Sequence, residues 1–179
     1  MLSRRPVPLL LALGLAFVSL AGRARPAAAV SIEGAPLAPI RGSVPVTVVI
    51  HAPYDMARAI RKLPTSIEEG PVVRLSIERV KAPGNATIRV FINYPTATAD
   101  TPASDFHYVG SLTAFEDSPA GSPGDDYLLD AGRALKRLKK GERLLPGDNV
   151  AVTLVLAPET AAADVAIPIE RVALSIETQ

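Results

Sequence analysis

The chain has 179 residues, enough for one domain with a real core and too few to expect two. It contains no cysteine and no tryptophan, four Tyr and four Phe, and 17 prolines with 12 glycines, which excludes disulfides and thiolate metal sites and suits short strands joined by turns. The formal charge of +1 is set by residues 1–29, which hold Arg4, Arg5, Arg23 and Arg25 and no acid; the remainder carries 15 basic against 18 acidic residues, a net of −3, and argues against nucleic acid as a partner.

The N-terminus reads as an export signal. Arg4-Arg5 form a positive start, Leu9 to Leu20 is a short apolar run, and Ala27-Ala28-Ala29 supply the small residues at which a signal peptidase cuts. The apolar run is short for a membrane span, so cleavage near Ala29 and a protein without membrane attachment are expected. Ser3-Arg4-Arg5 hints at twin-arginine export, but Pro6 and Pro8 depart from that pattern, and general secretion is the stronger reading. The expected organisation is a signal peptide at 1–29, a lead-in at 30–42 and a single domain at 43–179, located in the periplasm or outside the cell.

In chain order, a short strand is expected at Val30-Ser31-Ile32. Ser43 to Ile50 alternates, with Val44, Val46 and Val48 on one face, and Pro45 marks it as an edge strand. His51 to Pro71 reads as a loop, although Tyr54 to Leu63 has the composition for a helical turn or two. Val72 to Val80 alternates Val73, Leu75 and Ile77 against Arg74, Ser76 and Glu78. After the turn-like Lys81-Ala82-Pro83-Gly84-Asn85 comes Thr87 to Asn93, whose Ile88, Val90 and Ile92 form an apolar face. These two runs predict an antiparallel hairpin. Phe106 to Leu112 reads as another strand, and Glu116 to Asp126 as a loop rich in Gly, Pro, Ser and Asp.

Asp130 is the expected N-cap of a helix that buries Ala131, Ala134, Leu135 and Leu138. Arg133, Lys136, Arg137, Lys139 and Lys140 then face water, and Gly141 ends the helix. Leu145-Pro146-Gly147-Asp148 is a turn. Asn149 to Ala157 and Asp164 to Ile176, the latter divided by Pro168, close the chain as strands. The fold class that follows is mainly β, an antiparallel β-sandwich of about six or seven strands with one short helix.

Candidate chemistry is sparse. His51 and His107 are the two histidines, and a lone strand histidine is ordinarily structural. Ser104, Asp105 and His107 are triad residue types, but a triad is assembled in space and not by adjacency in sequence. Gly121-Ser122-Pro123-Gly124 lacks the Lys-Ser/Thr of a phosphate loop. Asp125-Asp126 with Glu116 and Asp117 carries calcium-ligand chemistry, for which a solvated acidic loop is the simpler account. Asn85-Ala86-Thr87 is a glycosylation sequon. No catalytic residue, metal ligand or cofactor-binding residue is assigned. Arg133, Lys136, Arg137 and Lys140 on the helix, with Arg89 and Phe91 on the mixed face of Thr87–Asn93, are the candidate partner contacts.

Several segments together carry a family resemblance. They are Thr87-Ile88-Arg89-Val90-Phe91-Ile92-Asn93, Gly110-Ser111, the Asp130–Leu138 helix, Asn149-Val150-Ala151-Val152-Thr153-Leu154-Val155, and Ile169-Glu170-Arg171-Val172-Ala173-Leu174-Ser175-Ile176-Glu177. Their order resembles the C-terminal domain of polyphenol oxidases and tyrosinase-like copper oxidases, over about Ile40 to Glu177. Ser43–Ile50, the loop with Arg58, Arg61 and Lys62, and Val72–Val80 also fall in order.

The resemblance implies a small β-sandwich that packs over a copper site in the parent enzymes and, in latent forms, blocks substrate entry. The resemblance assigns the blocking side chain to no position of this sequence. Type 3 copper takes two sets of about three imidazoles, and this chain has two histidines in all. The resemblance therefore implies a protein that is not an enzyme, with no cofactor, serving as accessory or shielding partner to a separately encoded tyrosinase-like oxidase. The alternative is a stand-alone structural, carbohydrate-binding or cell-surface module, for which the low aromatic content is unfavourable.

Overall fold

The computed structural model describes residues 32–33, 37–64, 66, 70–82, 84–115, 124–141, 149–160 and 166–177. The expected signal peptide, the 145–148 turn and most of the acidic loop at 116–126 lie outside the described residues. In chain order the elements are β1 (Ile32–Glu33), β2 (Ile40–Arg41), β3 (Val46–His51), α1 (Tyr54–Lys62), β4 (Val72–Val80), β5 (Ala86–Ile92), β6 (Tyr108–Ala114), β7 (Asp125–Asp130), α2 (Gly132–Lys140), β8 (Asn149–Leu156), β9 (Ala166–Ile167) and β10 (Arg171–Glu177). A short 3-10 turn spans Pro158–Thr160.

The strands form two four-stranded sheets, ordered β1-β10-β4-β7 and β3-β8-β5-β6, with β2 and β9 as a separate pair. Every strand pairing is antiparallel. The architecture is the expected antiparallel sandwich, with more strands than expected and a second helix. One continuous core joins Val73, Leu75, Ile77, Val172, Leu174 and Ile176 of the first sheet to Ile50, Ile88, Val90, Ile92, Val152 and Leu154 of the second. Each large aliphatic side chain buried there contributes roughly 1.5–3 kcal/mol through removal of apolar surface from water.

The hairpin expected between Val72–Val80 and Thr87–Asn93 does not form. β4 pairs with β10 and β7, whereas β5 pairs with β6 and β8. The link at 81–85 crosses from one sheet to the other. Both strands carry a wholly apolar face, and placing them in opposite sheets lets those faces cover each other. Backbone geometry assists the crossing. The register of β4 shifts between Ile77 and Val80, and Arg79 lies in the left-handed region at φ 54°. Such a bulge re-aims the strand. Arg79 is held there from two sides, its backbone N–H donating to Asp126 Oδ1 at 2.9 Å and its guanidinium to the Glu170 carboxylate at 2.8 Å.

Two segments expected as loops are regular structure. Within 51–71, residues 54–62 form α1, a helix of nine residues. A helix this short is marginal alone, so its order comes from packing: Met56, Ala57 and Ile60 are buried, as is Leu63 just beyond. Its C-terminal carbonyls are capped from outside, since Lys139 Nζ donates to Arg61 O and Leu63 O, both at 2.6 Å.

Asp125–Asp130, partly assigned to the acidic loop, forms β7 with alternating burial. Gly124 leads into it at φ 93°, and a Cβ there would stand 2.9 Å from Val80 O, so only glycine lets β7 start against the β4 bulge.

β7 of the first sheet reaches β6 of the second through the Tyr127 side chain. Tyr127 Oη donates to Thr113 O at 2.8 Å and lies 3.4 Å from Asp125 Oδ2. Burial, and after it the charge of Asp125 and its hydrogen bond, raise the Tyr127 phenol above the ordinary 10.0. The folded protein thus holds the phenolic proton more tightly than the unfolded chain does. That contribution is complete below about pH 10 and is lost as pH rises through the folded value. Tyr127→Phe is expected to cost about 1 kcal/mol near neutrality through the lost hydrogen bond. It is also expected to flatten the fall in Tm above pH 10, measured by thermal denaturation across pH.

Candidate functional site

The mixed face of β5 was a candidate contact surface because Arg89 and Phe91 project from it. The structure covers that face with the chain's own loop, residues 94–107. Phe91 has no exposed surface and forms a second small core with Ala97 and Val155, against which Tyr94, Ala99 and Tyr108 pack. Its ring meets Tyr108 edge-on at 5.6 Å between centroids and Tyr94 at 6.4 Å. Phe91 is therefore a buried anchor for the loop and offers no surface to a partner. The expected strand at Phe106–Leu112 begins two residues later, at Tyr108, because the chain is still turning at Phe106 and His107.

Two guanidinium groups hold the loop. From below, Arg89 Nη1 donates to Ala99 O at 3.1 Å and Thr101 O at 3.3 Å. From the side, Arg137 of α2 donates through Nη2 to Tyr108 O at 2.6 Å and through Nε to Phe106 O at 3.3 Å. Hydrogen bonds from charged donors to backbone carbonyls are among the stronger ones in proteins. Arg89 and Arg137, expected as partner contacts, thus bind their own chain.

The same helix corrects a third assignment. Lys136 was expected in water and is only 5% exposed, whereas Ala131, Ala134, Leu135 and Leu138 are buried as expected. Asp130 does hydrogen-bond the helix start, with Oδ1 accepting from Gly132 N at 2.9 Å, although the cap position itself falls on Ala131. Arg133 and Lys140 remain exposed. Arg133 keeps 71% of its side-chain surface and sits 3.6 Å from Asp130. Arg133, Arg137 and Lys140 follow the i, i+4, i+7 spacing and so share one stripe of α2. That stripe runs beside the loop, because its middle member bonds Phe106 O and Tyr108 O.

Phe106, 53% exposed, lies on the loop next to this stripe. Sequence reasoning placed it inside a strand. The signal against that assignment is Asp105, whose Oδ1 accepts from His107 N at 2.8 Å and thereby favours a turn over a ladder.

Each imidazole is hydrogen-bonded to a side chain of its own chain. His107 Nδ1 lies 2.7 Å from Asp105 Oδ1 and its ring stacks on Tyr94 at 4.8 Å. Ser104 makes no hydrogen bond to it, so the three triad residue types are not assembled. His51 Nδ1 lies 2.8 Å from Asn149 Oδ1. Among the described residues no group of three His, Cys, Asp or Glu side chains is placed to hold a metal ion. Asp126 is engaged by Arg79 N and Asp125 by Tyr127, while Glu116 and Asp117 lie outside the described residues.

No family model matches the chain, and no characterised protein sequence is significantly similar to it. Among solved structures the fold is similar to part of polyphenol oxidases. A recombinantly expressed latent aurone synthase (polyphenol oxidase) superposes with a TM-score of 0.48 at 16% identity, covering 78% of this chain and 26% of that one. Latent aurone synthase from its natural source gives 0.46 at 16% identity, with the same coverage. The chain spans about a quarter of those proteins' length. The likeness concerns the fold and carries no statement about activity.

Arg137→Ala is expected to lower stability by about 1–3 kcal/mol, because it removes both hydrogen bonds from the loop carbonyls. Arg133→Ala and Lys140→Ala are expected to stay within about 0.5 kcal/mol of the parent. Chemical denaturation of the three variants distinguishes a loop clamp from solvated charge.

Proposed function

We propose that this protein is an exported, non-catalytic β-sandwich that docks on a separately encoded tyrosinase-like copper oxidase and shields its site or assists its maturation. The observation that carries the reading is segment order. Thr87–Asn93, Gly110-Ser111, the 130–138 helix, Asn149–Val155 and Ile169–Glu177 resemble the C-terminal domain of such oxidases in sequence, and they fall on β5, β6, α2, β8 and β10 of one sandwich. Copper chemistry belongs to the partner in this reading, since two histidines cannot supply two sets of three imidazoles.

The contact face is the loop surface at Phe106 with Arg133 and Lys140 beside it. An exposed aromatic flanked by long basic side chains suits a partner surface with an apolar recess and an acidic rim. A carbohydrate platform is less favoured: exposed Phe106 and Phe115 lie beyond opposite ends of β6, whose seven residues alone span about 20 Å of extended chain.

The test adds purified protein to a tyrosinase-like oxidase of the same host and follows diphenol turnover, latency and copper content. Added protein is expected to suppress turnover or raise copper loading at near-equimolar ratio. The variant carrying Arg133→Glu and Lys140→Glu is expected to need roughly tenfold more protein for the same effect, about 1.4 kcal/mol. If excess protein changes neither turnover, latency nor copper content, the reading is wrong.

A further inference from the structure

Among the described residues the strand β3 lies at the end of its sheet, paired on one side only, with β8. Beside it runs a groove of about 700 Å³ lined by every residue from Val44 to Val49 and by His51, together with Leu37, Ala38, Pro39 and Arg41 of the same chain. Successive strand residues point to opposite faces, so a groove that touches each of them in turn follows the strand's backbone edge. Open edges are ordinarily guarded by charge, bulges or proline. Here the stretch from Ser43 to Tyr54 contains no Lys, Arg, Asp or Glu, β3 pairs without a register shift, and Pro45 stands just before the strand.

The residues around this edge have a two-fold pattern centred on Val49. Val48 and Ile50 face the core, Thr47, Val49 and His51 face outward, and Val46 and Ala52 continue the alternation on the inner side. Three large apolar side chains are exposed here: Val44 at 63%, Val49 at 45% and Tyr54 at 68%. Val44 and Tyr54 stand five residues on either side of Val49. The first charges beyond the neutral stretch are Arg41 on one side and Asp55 on the other, opposite in sign.

We infer that β3 pairs antiparallel with β3 of a second copy of this chain, joining two four-stranded sheets into one of eight strands. The register follows from the pleat. Paired residues in an antiparallel ladder share a face, so both cores stay on the same side only if a residue, and not a peptide bond, lies on the two-fold axis. Centring on Val49 opposes Val48 to Ile50 and Thr47 to His51. It leaves Pro45, which has no N–H to give, outside the ladder. It also brings the Val44 end of one copy to the Tyr54 end of the other, and Arg41 towards Asp55. No like charges oppose each other along the strand.

The chemistry at the Thr47–His51 pair is also compatible. Thr47 Oγ1 lies 3.0 Å from Thr153 Oγ1, and His51 Nδ1 is occupied by Asn149 Oδ1. A ring that donates through Nδ1 leaves Nε2 as an acceptor for the facing threonine hydroxyl.

The absence of native cysteine makes the register directly readable. In protein purified after expression of the full chain, Val49→Cys places two thiols opposite each other, with Cβ atoms about 4.5–5.5 Å apart and within disulfide reach. Mild oxidation is expected to give a covalent dimer on a non-reducing gel. Thr47→Cys places its thiols four residues out of register, more than 10 Å apart, and is expected to stay monomeric on the same gel. Light scattering after size exclusion is expected to give twice the monomer mass for the parent. For Val49→Lys, which opposes two ammonium groups on the axis, the dissociation constant is expected to rise at least tenfold. A parent that is monomeric at every concentration overturns the inference. So does a dimer in which Thr47→Cys cross-links as readily as Val49→Cys, or one that Val49→Lys leaves unchanged.

Discussion

Burial of β8 on both faces is the constraint on which the rest of this structure depends. From Val150 to Leu156 every residue is buried. Val150, Val152, Leu154 and Leu156 join the main core between the sheets, while Val155 on the opposite face joins the small core under the 94–107 loop. A strand of this kind cannot sit at a solvent face. It therefore needs a second layer above the sheet, which the chain supplies by folding a loop back over β5 and β8. Asn93 makes the junction: at φ 56° it ends β5, its N–H donates to Ala151 O at 2.7 Å and its Oδ1 accepts from Ala151 N at 3.0 Å.

The charged side chains act largely within this frame. Arg89 fastens the loop from the sheet side, Arg137 fastens it from α2, and Lys139 caps α1 through two carbonyls. In each case a cation donates to backbone oxygens in a loop or at the end of a strand or helix, where a buried carbonyl left unmatched costs more than the hydrogen bond returns in water. The basic character of α2 is thus used mainly inward. What it leaves outward is narrow, Arg133 and Lys140 on one stripe beside Phe106, and this narrowness makes the proposed contact face specific.

Much of the fold was legible in the sequence. Alternation located β3, β4 and β5, the closing strands β8 and β10 fall within the runs expected for them, Pro45 marked an edge, and the α2 pattern of Ala131, Ala134, Leu135 and Leu138 was met in full. What escaped was set by distant partners. The β4–β5 hairpin was inferred from adjacency, but two strands with equally apolar faces bury more by facing each other across the core. β7 was hidden by its aspartates, which are unfavourable strand residues, and the weak alternation of Tyr127 and Leu129 was the signal for it. α1 looked like a loop because its last carbonyls are capped by a lysine 76 residues away in sequence. Local pattern places Phe91, Arg89 and Lys136 at the surface because it does not reveal that a loop or a neighbouring element will cover them.

The outer face built from the 94–107 loop and the exposed stripe of α2 is the proposed docking surface for a copper oxidase. The most direct measurement is hydrogen exchange on the protein alone and mixed with a tyrosinase-like oxidase of its host. Slower exchange confined to residues 95–106 and 132–140 is expected in the mixture, with β4 and β10 unchanged. Identical exchange in both samples, at concentrations where the oxidase is in excess, would contradict it.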